Sequence, residues 1–187
     1  GLDVENDETI NAVIVLLYPA DNIANNGIWD DETTLSENLV VNQGETLTIG
    51  AKVTISGNVT ISGGGTIKRD QSYQGELISV PAGAELTLKD ITIDGGATWT
   101  GETAVGLAAD EAAIRIEGGQ VTLDNGAVVQ NNNHTSTQDN AYDHTTYEES
   151  GQTYDLPRYY NMGGGIAVYG GTLTMNEGSS VKNNAVT

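Results

Sequence analysis

One alternating pattern recurs four times along this chain and constrains its fold more than any other feature. In each copy a threonine stands between two apolar residues. The copies are Leu47-Thr48-Ile49, Leu86-Thr87-Leu88, Val121-Thr122-Leu123 and Leu173-Thr174-Met175. Because successive side chains of a β-strand point to opposite faces, this alternation predicts strands that bury one face.

Two further short strands accompany each copy. The strand before the triplet carries the apolar pairs Leu39/Val41, Ile78/Val80, Ile114/Ile116 and Ile166/Val168. The strand after it carries Val53/Ile55, Ile91/Ile93, Val129 and Val181. Three of these later strands end in an Ile-x-x-Asn or Val-x-x-Asn motif, at Asn58, Asn132 and Asn184. The repeat therefore predicts three short strands per unit.

The spacing of the copies indicates how the strands pair. Equivalent strands recur after 39, 35 and 52 residues, counted from Leu47 to Leu86, Val121 and Leu173. Hairpin loops take only about two to five residues, so these strands are too far apart for an antiparallel meander. We expect an all-β chain, a parallel β-helix (solenoid) of about four coils, with three short strands per coil stacked about 4.8 Å apart.

Two motifs carry a resemblance to a known family. The stretch Gly163-Gly164-Gly165-Ile166 and the Val-x-x-Asn motifs are similar to the GGA-[ILV] and F-x-x-N repeats of polymorphic outer membrane proteins, with valine in place of phenylalanine. Over about residues 38–187 the chain resembles the pectate-lyase-like right-handed parallel β-helix superfamily, especially repeat-rich bacterial surface proteins and adhesins. The resemblance implies a right-handed, single-stranded coil in a secreted or surface-displayed bacterial protein.

The acidic composition limits the partners. Asp and Glu number 26 against 7 Lys and Arg, for a formal net charge of −19. Such a surface repels nucleic-acid phosphates and anionic lipid headgroups, so we expect no nucleic-acid partner and no membrane insertion. The chain has no cysteine, which excludes a disulfide framework and a thiolate metal site. We expect it to be extracellular or at the cell surface.

The two ends depart from the repeat. Residues 1–37 are expected to form an N-terminal cap, because an open coil exposes apolar core and unpaired strand edges. At the other end the sequence VKNNAVT stops within a repeat. We expect the solenoid, residues 38–187, to continue in the rest of the same polypeptide.

Three insertions are the predicted location of function. They cover about 57–75, 95–112 and 133–162 and are expected to stack along one edge of the solenoid. Aromatic rings among carboxylates and amides suit a glycan, and tyrosines also suit a host or cell-surface protein ligand. The candidate ligand-binding residues are Trp99, Tyr142, Asp143, His144, Tyr147, Tyr154, Tyr159 and Tyr160. The alternative is that the tyrosines only pack the third loop against the coil.

Metal binding has weaker support from the sequence. No spacing matches a ligand signature, and we expect no cofactor other than a possible Ca²⁺ ion. The residues considered for Ca²⁺ are Asp94, Asp124, Asp139 and Asp143, and those considered for another metal are His134, His144, Asp139 and Asp143. The two histidines are expected to be solvated.

Catalysis also has weak support. Asp94 and Asp124 are a conceivable acid/base pair for a glycosidase, but both lie in ordinary turn sequences. A lyase would need a cluster of basic residues, and Arg115 is expected to point outward without partners beside Val40, Ser79 and Ala167. A single outward column of Thr48, Thr87, Thr122 and Thr174 is too little for an ice-binding surface. No catalytic residue is assigned.

The sequence thus favours an adhesin-like interaction module that binds a glycan or host protein through stacked edge loops. One alternative is a fragment of a carbohydrate-active enzyme, a glycosidase or lyase of the β-helix class. The other is a purely structural surface stalk.

Overall fold

The computed structural model describes residues 27–135, 143–149, 152–158 and 164–186. The described residues are all-β, without a helix of any kind and therefore without one able to cross a membrane. The strands in chain order are β1 (Ile28–Trp29), β2 (Thr33–Leu35), β3 (Leu39–Val40), β4 (Thr46–Ile49), β5 (Val53–Ile55), β6 (Asn58–Ser62), β7 (Thr66–Arg69), β8 (Ile78–Pro81), β9 (Glu85–Lys89), β10 (Thr92–Asp94), β11 (Thr98–Thr100), β12 (Thr103–Val105), β13 (Ile114–Leu123), β14 (Val128–Gln130), β15 (Asn133–His134), β16 (Asp143–Glu149), β17 (Gln152–Arg158), β18 (Ile166–Met175), β19 (Ser180–Lys182) and β20 (Ala185–Val186).

Most strands pair in parallel and belong to two sheets. Sheet A has the order β1-β4-β7-β10-β14-β19. Sheet B consists of two rows joined by the long strand β13. Row 1 contains β2, β5, β8 and the first halves of β13 and β18, and row 2 contains β3, β6, β9 and the second halves of those two strands.

The chain visits sheet A, row 1 and row 2 in turn, and we call one such circuit a pass. Passes lengthen along the chain, from 20 residues between the register partners Ile28 and Thr48 to 52 between Val128 and Ser180. Each parallel pair joins strands of neighbouring passes, so equivalent inward residues stack in columns. In sheet A one such column places Leu47, Ile67, Ile93 and Val129 in register, all buried. The sheets curl around a single core made mainly of Ile, Leu and Val. In this core each apolar side chain packs on a similar one from the neighbouring pass, and no phenylalanine is needed to fill it.

The first repeat does not align with the later ones in the way that the sequence pattern predicted. Leu47-Thr48-Ile49 lies on β4 in sheet A and pairs with β7, not with Leu86-Thr87-Leu88 on β9. The partner of Leu86 is Val59 on β6. The segment 57–75 was predicted as an insertion, but it contains the strands β6 and β7. Two more strands, β6 and β7, therefore lie between Leu47 and Leu86 than the pattern suggested, because all three strands of a pass show the same alternation.

The later repeats were predicted in register. Ile78, Ile114 and Ile166 align in row 1. Ile93, Val129 and Val181 align in sheet A. In the first repeat, by contrast, Leu39 pairs with Ile61 in row 2, and Val53 pairs with Ile78 in row 1, so both earlier assignments were wrong.

The remaining predicted segments are partly described. Of the cap at 1–37, residues 1–26 lie outside the described residues, and β1 and β2 already belong to the parallel sheets. Segment 95–112 holds the antiparallel hairpin β11–β12. In segment 133–162 the described residues include β15 and the antiparallel hairpin β16–β17.

Candidate functional site

Five connections lead from sheet A to row 1: the first is residues 30–32, and the four that follow it begin and end at one corner of the molecule. These four are residues 50–52, 70–77, 95–113 and 131–165. Their ends lie side by side because the strands that flank them are hydrogen-bonded neighbours, and of the last connection the structure describes residues 131–135, 143–149, 152–158 and 164–165. We call this region the loop corner. Backbone bonds join its members: Asp110 N–H donates to Gln74 O at 2.8 Å, and Thr135 N–H donates to Ala109 O at 2.7 Å.

Arg69 anchors the second of these connections from inside. It is the last residue of β7, in register with Ile49, and only 1% exposed. Its guanidinium donates to the carbonyl oxygens of Tyr73 (3.4 Å) and Gly75 and to Asn132 Oδ1 (2.8 Å). Burial lowers the pKa of Arg69 to about 10, with Tyr73 acting in the opposite direction, so the group stays charged at neutral pH.

Asn132 joins the connections to one another. Its Nδ2 donates to the carbonyl oxygens of Glu111 (3.2 Å) and Gly164. Its backbone N–H donates to Oδ1 of Asn184, the equivalent residue one pass later, at 3.0 Å. The preceding Asn131 has a φ of 57°, a left-handed conformation that asparagine tolerates. The Val-x-x-Asn motif is thus a turn that directs its final Asn into the corner. In the Ile55-x-x-Asn58 motif, by contrast, Asn58 is exposed on β6.

A charged and aromatic cluster lies beside the loop corner on row 1. Arg115 is in register with Ser79 and Ala167, as predicted, but Val40 is not a neighbour in this row. Contrary to expectation, Arg115 has partners. Its Nε donates to Glu117 Oε1 at 2.9 Å, its Nη1 donates to Glu111 Oε1 at 3.3 Å, and its Cζ lies 4.5 Å from the centroid of the Tyr169 ring. We call Glu111, Arg115, Glu117 and Tyr169 the Arg115 cluster.

The electrostatics of the Arg115 cluster depend on partial burial. Burial raises the pKa of the Glu111 carboxyl; Arg115 opposes this rise and Glu76 adds to it. Burial also raises the pKa of the Tyr169 hydroxyl, with Glu111 adding to the rise. For Arg115 burial acts to lower the pKa, but Glu111 and Glu117 together raise it. The cluster therefore pairs a stable cation with a carboxylate whose charged form is disfavoured.

Unpaired buried polar atoms are concentrated at the loop corner. Within the described residues, the buried side-chain atoms that lack a hydrogen-bond partner are Arg69 Nε, Trp99 Nε1, Glu111 Oε2 and His134 Nδ1. Trp99, Glu111 and His134 belong to the corner connections, and Arg69 directly precedes one. Most buried polar groups in proteins are paired, so a group of unpaired ones is a reason to consider a ligand.

The candidate residues predicted from the sequence are only partly placed. Trp99 is half-buried on β11 of the loop corner. Asp143, His144 and Tyr147 lie on β16 and Tyr154 on β17, where Tyr147 and Tyr154 are directly paired in register. Tyr142, Tyr159 and Tyr160 lie outside the described residues.

The metal candidates do not form a group among the described residues. Asp94 ends a strand of sheet A and accepts hydrogen bonds from Gln130 and Asn131, whereas Asp124 follows a strand of row 2. His134 is buried, not solvated as predicted. No group of three or more His, Cys, Asp and Glu able to hold a metal occurs among the described residues, and Asp139 lies outside them.

The structure also assigns importance to residues that sequence reasoning missed. Glu111 and Tyr169 are 58 positions apart and both contact Arg115, and the contact of Tyr169 depends on the pairing of β13 with β18. Arg69 occupies an inward position at which the alternating pattern predicts an apolar residue. That mismatch was the signal in the sequence that could have identified it as a buried cation. Asn132 was recognised as part of a motif but not as a buried connector.

The raised pKa of Glu111 predicts how stability responds to pH. Below the ordinary value of 4.5 the carboxyl is protonated in both folded and unfolded chains and contributes no difference. As the pH rises through that value to the higher folded pKa, the unfolded chain ionises first, and the wild type loses stability relative to Glu111→Gln. Urea midpoints of both proteins across this range test the sign. A wild type that gains stability relative to Glu111→Gln would show that attraction to Arg115 outweighs burial.

Comparison of the chain with protein-family models, curated proteins and solved structures finds no match in any of the three.

Proposed function

We propose that this chain is a right-handed parallel β-helix of the pectate-lyase-like kind, displayed outside a bacterial cell as an adhesin-like interaction module. We further assign its ligand as an uncharged glycan, bound at the loop corner and the Arg115 cluster. The parallel rows, the columns of like apolar residues and the connections that emerge at one corner support the architecture. Binding faces of solenoids are commonly built from such stacked connections.

The observation that carries the binding proposal is the set of unpaired polar atoms at the loop corner. An indole N–H at Trp99, a carboxylate oxygen at Glu111 and an imidazole nitrogen at His134 are buried there without hydrogen bonds. Leaving such groups unpaired costs about 1–3 kcal/mol each. A ligand that offers several hydroxyl groups, each both donor and acceptor, would recover part of that cost for atoms it can reach.

The Arg115 cluster supplies what recognition of a sugar requires. Tyr169 is about half exposed and offers an aromatic surface for the C–H face of a pyranose ring. Arg115 and Glu111 provide a charged donor and a charged acceptor for neighbouring hydroxyl groups. The net charge of −19 opposes a polyanionic ligand, so an uncharged glycan fits this surface better than a uronate.

A glycan array with the purified chain tests this proposal. We expect a confined set of neutral glycans to bind, and Glu111→Gln and Tyr169→Ala each to weaken that binding by at least about tenfold, or 1.4 kcal/mol. Glu85→Gln, which alters an exposed carboxylate on row 2, and Val168→Ala, beside Tyr169, are the matched controls and should bind like the wild type.

Other outcomes point to other functions. No binding across neutral and acidic glycans would rule out the glycan assignment and leave a protein ligand or a structural stalk. Release of reducing ends from a bound glycan would instead identify a carbohydrate-active enzyme, in which the raised pKa of Glu111 suits a general acid.

A further inference from the structure

The hairpin β11–β12 is bonded to the rest of the described structure only at its base. On one side of the base Ala97 N–H donates to Asn131 O at 2.8 Å. On the other side Ala109 N–H donates to Asn133 O at 2.7 Å. Between these points the described hydrogen bonds of residues 98–108 all lie within the hairpin. The base is therefore fixed, and the hairpin itself is held to the loop corner by packing alone.

One end of the hairpin contains a residue suited to a hinge. Gly106 directly follows β12, is exposed and has a φ of +92°. Glycine passes between left-handed and right-handed conformations at little cost, unlike residues with a Cβ atom. Space does not restrict it here, because even a Cβ atom would meet its nearest neighbour, Thr98 Oγ1, at an ordinary 3.6 Å. Rotation at Gly106 can therefore move the hairpin about its fixed start at Ala97.

The hairpin rests on the loop corner through one face. Trp99 and its register partner Ala104 are partly buried on that face. The other four strand residues, which form the opposite face, are exposed: Thr98, Thr100, Thr103 and Val105. The indole Nε1 of Trp99 is buried without a hydrogen-bond partner, at a cost of about 1–3 kcal/mol. The contact thus depends on one large side chain whose polar atom is unmatched.

These features give the hairpin a low local stability. A two-stranded hairpin on its own is only marginally stable in water. Segments that open and close over ligands belong to the least stable parts of a fold. The end of the same connection is firmly held, because Glu111 is paired with Arg115 at 3.3 Å and three alanines are buried, Ala109, Ala112 and Ala113. Opening of the hairpin therefore leaves the Arg115 cluster in place.

We propose that the hairpin β11–β12 is a lid, which swings at Gly106 and closes over a glycan bound at the loop corner. On closure the indole N–H of Trp99 donates to a hydroxyl oxygen of the sugar, and the indole ring covers a C–H face of the pyranose. The glycan thus pairs an N–H group that the protein leaves unpaired. It therefore binds the closed position more tightly than the open one and shifts the hairpin towards closure. The ligand of the lid rests on the proposed function.

Hydrogen exchange of backbone amides in the free protein tests the lid without any ligand. We expect amides of residues 98–105 to exchange at least about a hundredfold faster than those of β13. Trp99→Ala removes the packed side chain and should speed exchange of the hairpin a further fivefold or so, with β13 unchanged. Thr100→Ala, on the exposed face, is the matched control and should exchange like the wild type. Hairpin amides as protected as those of β13 would overturn the lid, whatever the ligand.

Closure is tested with neutral oligosaccharides. The probes are maltohexaose, cellohexaose and the hexamer of N-acetylglucosamine, together with any neutral glycan that binds on the array. We expect a bound probe to slow exchange of the hairpin about tenfold or more. In Trp29→Phe, where Trp99 is the sole tryptophan, it should also change the fluorescence. Trp99→Phe keeps an aromatic ring without the N–H and should weaken binding about tenfold, or 1.4 kcal/mol.

The failures of the lid and of the proposed function are distinguishable. A glycan that binds without slowing exchange of the hairpin, or that binds Trp99→Phe as tightly as the wild type, would overturn closure and leave the binding site. No binding of any glycan to a protein with a fast-exchanging hairpin would overturn the proposed function, and with it closure over a glycan.

Discussion

Replacing Arg69 with alanine is expected to lower the free energy of unfolding by about 4 kcal/mol. The guanidinium is almost fully buried and donates to the carbonyl oxygens of Tyr73 and Gly75 and to Asn132 Oδ1. The substitution leaves three acceptors without this donor and a cavity beside Ile49. Urea unfolding followed by circular dichroism measures the change.

Two further variants separate the causes of this loss. Arg69→Met keeps much of the side-chain volume but makes no hydrogen bonds, so it should recover the part of the loss that is due to the cavity. Lys68→Ala removes the exposed neighbouring cation and should change stability by less than about 0.5 kcal/mol. A loss below about 1 kcal/mol for Arg69→Ala would show that this buried cation does not hold the loop corner together.

Replacing Gly119 with alanine is expected to cost about 3 kcal/mol. Gly119 lies at the bend of β13 between rows 1 and 2, directly against the preceding pass. A Cβ atom there would lie 2.5 Å from Pro81 O, 2.7 Å from Val80 Cγ1 and 2.8 Å from Ala84 O. Two of these atoms are backbone oxygens, so relief requires neighbouring passes to move apart.

Gly170 supplies the control for this prediction. A Cβ atom there would meet its nearest neighbour, Gly118 N, at an ordinary 3.6 Å, and its backbone is not left-handed. Gly170→Ala should therefore be neutral or slightly stabilising, because alanine reduces the freedom of the unfolded chain. Equal losses at both glycines, again read from urea midpoints, would contradict the close stacking of passes at Gly119.

The pattern of alternation predicted the strands better than it predicted their partners. Thr87, Thr122 and Thr174 do align in row 2, but the fourth member of their column is Thr60 and not Thr48. Alternation shows which face of a strand is buried, and every strand of a pass buries one face. Which strand of one repeat corresponds to which strand of the next can be read from the sequence only where long connections separate the strands. The first repeat was therefore misplaced.

The site was less predictable than the fold because register determines its contacts. Trp99 was a candidate from composition, since it is an aromatic residue in a polar connection, and its role stays a prediction. The contact of Arg115 with Tyr169 depends on the pairing of β13 with β18, and its ion pair with Glu111 depends on how the preceding connection ends. Neither leaves a local signature in the sequence.

Successive passes stack in this register and so bring the ends of the connections together at one corner. Disulfide trapping tests it cleanly, because the natural chain has no cysteine. Neighbouring parallel strands lie about 4.8 Å apart, within the range that a disulfide spans. Thr60→Cys with Thr87→Cys should cross-link readily on mild oxidation, whereas Thr48→Cys with Thr87→Cys, which lie in different sheets, should stay reduced. A disulfide in the second pair and none in the first would contradict the stacking of passes described for this chain.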